Sequence, residues 1–166
     1  FNTGRPANAR SWTPIDSIPL VNAQTSLGYK SSYLDYGFTA LYPFGFGLSY
    51  TTFDYSNLTL SSNVLKNNGS VSVKATIANS GNMDADEVVQ LYVRDRVGSI
   101  VRPIKELKGF KKIHLAKGEK TEVEFILHPE DLAFFNGKIT AAEPGDFDVW
   151  VGTSSDEGLH GEFRYE

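Results

Sequence analysis

GSVSVKATIANSG, residues 69–81, alternates apolar and polar side chains without a slip. Val71, Val73, Ala75 and Ile77 fall on one side, and Ser72, Lys74 and Thr76 on the other. A period of two marks a half-buried strand, because successive side chains leave a pleated backbone on opposite faces. The same rhythm spreads in both directions. DEVVQLYVRD, residues 86–95, sets Val89, Leu91 and Val93 against Val88, Gln90 and Tyr92. KTEVEFILH, residues 120–128, points Val123, Phe125 and Leu127 inward; GDFDVWVGTS, residues 145–154, does so with Phe147, Val149 and Val151, leaving Asp148 and Trp150 outward. FDYSNLTLS (53–61), ELKGFKKIHL (106–115) and GEFRYE (161–166) complete seven strand candidates, the last expected at a sheet edge. Gly109 interrupts its strand and predicts a bulge or bend.

The separators carry turn chemistry. Lys66-Asn67-Asn68-Gly69, Asn79-Ser80-Gly81-Asn82, Ala116-Lys117-Gly118-Glu119, Asn136-Gly137 and Glu143-Pro144-Gly145-Asp146 supply Gly, Asn and Pro between the strands. PEDLAFF, residues 129–135, is the one helical signal: proline suits a first turn, and two acids follow it. Short alternating strands with turns at this spacing predict an all-β fold, an immunoglobulin-like sandwich. The 166-residue chain has no cysteine, so packing alone must hold it.

Residues 1–52 read differently. They hold four prolines, five glycines and no sustained period. An irregular stretch this long is uncommon in a compact domain unless it serves a function. Its end, ALYPFGFGLSYTTF (40–53), has five aromatics and no charge. Such runs usually mark a contact. With few polar groups to read hydroxyls, an interdomain seal is favoured over a platform on which sugars stack, and Tyr42, Phe44, Phe46 and Tyr50 are the packing candidates. The predicted organisation is 1–52 as tail and linker and 53–166 as sandwich.

Net charge is -4 with both signs interspersed, unlike the clustered basic face of a nucleic-acid binder. No apolar run reaches the roughly 18–20 residues that span a membrane, so neither nucleic acid nor membrane is expected as a partner. His114, His128 and His160 are scattered over strand ends and turns, and no metal-ligand spacing or cofactor motif stands out. Asp84, Asp86, Glu87, Glu130 and Asp131 read as solvated loop or helix-start charges. Two Asn-x-Ser/Thr sequons, at Asn57 and Asn68, are expected by chance in a chain this rich in these residues. Arg5, in NTGRP, is the best candidate for a fixed carboxylate contact, since its planar fork suits one. Phe1 is no initiator and the only Met is Met83, so the chain is expected to be processed or cut from a longer polypeptide.

LYPFGFGLSYTTF resembles the segment leading from the second to the third domain of glycoside hydrolase family 3 β-glucosidases: Tyr42-Pro43-Phe44-Gly45, a variable aromatic, then Gly47-Leu48-Ser49-Tyr50-Thr51. FNTGRP, residues 1–6, is similar to the end of that second domain. VRPIKELKGFKKIHLAKGEKTEVEF, residues 101–125, and the later PEDLAFF and EPGDFDVWVGTSS resemble the family's C-terminal fibronectin type III-like domain, with the bacterial periplasmic branch the closest likeness. The resemblance implies a fibronectin type III-like sandwich, preceded by the tail of an α/β domain, that buttresses the catalytic barrel and α/β domains of one parent. The parent would hydrolyse β-glucosides or oligosaccharides with retention, in the periplasm or outside the cell, and a homodimer of it is a further partner to consider. No cofactor, metal or catalytic residue is implied here, because the nucleophile and the acid/base of the family lie in other domains. Tyr33-Leu34-Asp35 resembles a Tyr-x-Asp of the periplasmic branch. With Arg5, Tyr33 and Asp35 are candidates for the substrate rim or a domain contact, although Ser32 stands where an arginine often precedes the tyrosine. An independent carbohydrate-binding or adhesion module is the alternative, with Tyr92 and Trp150 as its outward aromatics.

Overall fold

A computed structural model describes residues 40–166. The chain divides into two compact units, residues 1–43 and 44–166. Arg5, Tyr33 and Asp35 lie outside the described residues.

Residues 44–166 fold as a two-sheet sandwich. The strands are β1 (Phe53–Leu60), β2 (Val64–Leu65), β3 (Val71–Asn79), β4 (Ala85–Asp95), β5 (Glu106–Leu115), β6 (Lys120–Leu127), β7 (Phe134–Phe135), β8 (Thr140–Ala141), β9 (Gly145–Gly152) and β10 (Leu159–Tyr165); a four-residue helix, α1 (Pro129–Leu132), follows β6. One sheet runs β1-β3-β6 and the other β2-β10-β9-β4-β5, while β7 and β8 form a small ribbon. All pairs are antiparallel except β10 with β2.

The alternation read in β3 is what the sandwich uses. Val71, Val73, Ala75 and Ile77 are buried and meet Val123, Phe125 and Leu127 of β6. Val89, Leu91, Val93, Phe147, Val149, Val151 and Phe163 fill the core from the other sheet. Phe147 and Phe163 stack there with centroids 5.5 Å apart. Each fully buried Val, Leu or Phe contributes about 1.5–3 kcal/mol, which lets the core stand without a disulfide.

Three local expectations change. GEFRYE is not at the edge: β10 has β2 beyond it, a two-residue strand too short to show a period. The helix ends at Leu132, and Phe134–Phe135 turns back into β7. Its start is held by Asp131, whose carboxylate accepts the His128 N–H at 2.7 Å. Glu87 is not a solvated loop charge, since it sits on β4 and accepts the Tyr55 hydroxyl at 2.7 Å. Burial raises the Glu87 pKa.

The bulge announced by Gly109 is real. Leu91 pairs with Gly109 but Tyr92 with Leu107, so Lys108 is the extra residue. A Cβ on Gly109 would stand 3.1 Å from the Phe125 ring, so the glycine also lets β5 close over the core.

Candidate interdomain surface and its supporting contacts

Phe44 begins a segment that is fastened to the outer face of the larger sheet. The Ser155 N–H donates to the Phe44 carbonyl at 2.9 Å. The Gln90 amide donates to the carbonyls of Gly45 (2.9 Å) and Thr153 (2.6 Å). The Tyr92 hydroxyl lies 2.5 Å from Gln90 Oε1 and 3.3 Å from the Phe44 carbonyl. Gly45 has φ +81°, and a Cβ there would stand 2.0 Å from Gln90 Oε1. Only glycine permits both that backbone and that approach.

The other end is fastened as firmly. Thr51 donates its hydroxyl to Asn79 Oδ1 at 2.8 Å, and the Ser80 N–H donates to the Thr52 carbonyl at 2.9 Å. Asn79 is buried, and its amide also donates to the carbonyls of Met83 (2.7 Å) and Leu115 (3.0 Å). Between the two attachments Leu48 and Tyr50 are almost fully exposed, and Phe44 and Phe46 remain partly so; Tyr42, just before, is exposed too. Sequence periodicity put Tyr92 outward, and it does point away from the core. It is nevertheless buried, because Phe44–Gly45 covers it; the Phe44 and Tyr92 rings are nearly perpendicular, with centroids 6.5 Å apart. Burial raises its pKa.

Trp150, the other outward aromatic, is engaged as well. The Lys105 ammonium sits 4.2 Å from its ring centroid, and the His160 ring lies 5.0 Å away, tilted by 30°. Lys105 also donates to the Ser155 carbonyl at 2.7 Å, and desolvation lowers its pKa.

His160 also belongs to a cluster that the spacing of the histidines concealed. Arg96 grips buried Asp148 with a two-point fork (2.6 and 3.1 Å) and reaches Glu162 at 2.7 Å. His160 Nε2 lies 2.8 Å from Asp148. The Arg96 hydrogen bond, aided by His160 and opposed by burial, holds the Asp148 carboxyl below the usual range. Asp148, His160 and Glu162 bring their donor atoms within 4.8 Å of one another, close enough to ligate a metal. The donor set argues for an ion-pair network instead, since a metal would have to expel a guanidinium already bound to both carboxylates. The readable signal was the β9–β10 hairpin, which pairs Asp148 with Glu162 across the strands.

The connection between β4 and β5, residues 96–105, is inside out. Arg102 is tucked beneath it, with its guanidinium on Glu106 (2.5 and 3.2 Å), 3.8 Å from Asp95 and 4.0 Å above the Phe134 ring centroid. Glu106 also takes the Lys108 ammonium at 2.7 Å. Burial would raise the Glu106 pKa, but Lys108 and Arg102 together lower it. Ser99 is held by Glu143 through its N–H (2.9 Å) and hydroxyl (2.6 Å). The aliphatic residues Val97, Val101 and Ile104 face out.

These carboxylates serve structure. The side chains of Asp95 and Asp148, 4% and 8% exposed, both face arginines. Among the described residues no helix is long and apolar enough to cross a membrane.

Comparison with known proteins agrees with this architecture. Residues 87–155 match the fibronectin type III-like domain. The chain is 44% identical over 142 residues to a putative β-xylosidase of Formosa agariphila, covering 85% of the chain and 19% of that protein. It is 39% identical to a periplasmic β-glucosidase of Salmonella typhimurium, over 99% of the chain and 20% of that protein. Among solved structures, the β-glucosidase of Listeria innocua in complex with gluconolactone superposes with a TM-score of 0.76 at 36% identity, over 99% of the chain and 21% of that protein. The chain thus spans about a fifth of the length of the relatives it matches.

Proposed function

We propose that the chain is the structural C-terminal part of a larger glycoside hydrolase family 3 β-glucosidase, a reading supported by the match of residues 87–155 to the fibronectin type III-like domain and by the likeness of the chain to β-glucosidases and β-xylosidases. In this reading the parent hydrolyses terminal β-glucosyl residues with retention in a periplasmic or secreted setting, and the sandwich buttresses its catalytic domains. Residues 53–166 are the buttress and 1–52 the tail and linker. Tyr42, Phe44, Phe46 and Tyr50 pack at the domain boundary, and Arg5, Tyr33 and Asp35 serve at that boundary or the substrate rim. One observation carries the proposal: an uncharged aromatic segment is fastened at both ends to the sandwich while Leu48 and Tyr50 stay out in solvent. A sandwich that needed this segment only for its own core would bury them.

The independent-module alternative is disfavoured. Its two aromatics are taken: Tyr92 is covered, and Trp150 carries Lys105 and His160. Assay of this chain and of its full-length parent on an aryl β-glucoside tests the proposal. Turnover is expected from the parent alone, and parent-like rates from the chain would refute it. Titration with cello-oligosaccharides tests the alternative: no saturable binding is expected, and binding that vanishes in Trp150→Ala would restore it.

A further inference from the structure

We propose that the β4–β5 connection, residues 96–105, is a second docking element, seated on an apolar surface of the parent polypeptide upstream of this chain. The inference rests on the reading that the chain is one domain of a longer hydrolase.

Three observations carry it. The first is inverted polarity. Val97, Val101 and Ile104 are 82%, 99% and 78% exposed, and Ile100 is partly so. The charges are turned inward: the side chains of Arg102, in the connection, and of Asp95, at the end of β4, keep only 10% and 4% of their surface in water, and Arg96 is paired with Asp148 and Glu162. Isolated exposed aliphatics are ordinary, but four on one short connection with its charges withdrawn make a contact surface.

The second is rigidity. Arg102 is held by Glu106, Asp95 and Phe134, Ser99 by Glu143, and Lys105 by Ser155 and Trp150. The aliphatic groups therefore stand on a braced platform, which lowers the ordering cost of binding.

The third identifies the occupant. Ser155 donates its N–H to the Phe44 carbonyl and accepts the Lys105 ammonium on its own carbonyl. The backbone arriving from upstream at Phe44 and the aliphatic connection are thus tied to one residue, at one end of the sandwich. The matched relatives are about five times longer than the stretch they share with this chain. An uncharged, preformed aliphatic surface beside the point of arrival fits an apolar protein face of the same polypeptide.

Hydrogen–deuterium exchange on this chain and on the full-length parent tests the proposal. The amides of Ile100, Val101 and Ile104 are expected to exchange roughly tenfold or more slowly in the parent. Val101→Asp with Ile104→Asp should abolish that protection in the parent yet shift the melting temperature of this chain by no more than about 2 °C, because both side chains are exposed. Equal exchange in wild-type parent and chain overturns the proposal. So does protection that appears in the chain alone as its concentration rises, accompanied by a dimer in sedimentation, for then a second copy is the occupant. The intact mass of the natural protein separates the two levels: a parent no longer than this chain overturns the underlying reading, whereas a longer parent with an unprotected connection overturns this inference only.

Discussion

At the scale of the residue, Gly45 has the most demanding position. It combines a left-handed backbone with a side-chain-free approach to Gln90 and Tyr92. Gly118 has a similar φ, +76°, but open space around its Cα. Alanine at Gly118 should cost about 1 kcal/mol, the strain alone. Alanine at Gly45 should cost about 2–3 kcal/mol, because the Cβ must also push the Gln90 amide off the Gly45 and Thr153 carbonyls. Urea unfolding of the two variants checks this, and equal losses would show that the close approach contributes nothing. The glycine itself was plain in FGFG, but its reason was not. Alternation assigns Gln90 and Tyr92 a side of the sheet, and it is silent about a segment forty-odd positions earlier that comes to lie over them.

At the scale of the element, β3, β4, β6 and β9 were legible because each buries one face against the same core. Their alternation is a direct record of that burial. The two-residue strands β2, β7 and β8 were not, since two residues cannot display a period. The β4–β5 connection was legible only as a connection. Its organising residue, Arg102, is separated in sequence from Phe134 and depends on tertiary folding to meet it. Arg102→Ala would leave Asp95 buried beside no cation and Glu106 with Lys108 alone. Removing one partner of a buried pair costs about 3–5 kcal/mol. A loss at the lower end of that range is expected, because Lys108 remains, and Lys at position 102 should restore only part of it, lacking the planar fork. Thermal or urea unfolding with near-ultraviolet circular dichroism on Phe134 and its neighbours reads the effect; a variant as stable as wild type would mean the connection is not braced through Arg102.

At the scale of the whole molecule, the Arg96–Asp148–His160–Glu162 cluster ties residues of the β4–β5 connection to β9 and β10, so it should set the acid limb of stability. The sign follows from the depressed Asp148 carboxyl. The unfolded chain holds that proton up to about pH 4 while the folded state releases it at lower pH. The contribution is therefore complete at neutral pH and lost as pH falls below about 4. Asp148→Asn should cost about 1–2 kcal/mol at pH 7, discounted because Arg96 is partly in solvent, and should lose less than wild type between pH 4 and pH 3. Parallel acid limbs in the two proteins would place the pH response elsewhere.

By itself the sequence determined the all-β sandwich, which side of β3, β4, β6 and β9 faces the core, and the presence of an uncharged aromatic segment before Phe53. These are local properties, set by a period or a composition that a short window contains. Only the tertiary structure decided that Phe44–Gly45 closes over Tyr92, that Trp150 is already occupied, and that Arg96 and Arg102 neutralise Asp148 and Asp95. Each of those depends on groups brought together from different strands and connections, and the free energy of burying a charge or an aromatic ring is set by what covers it.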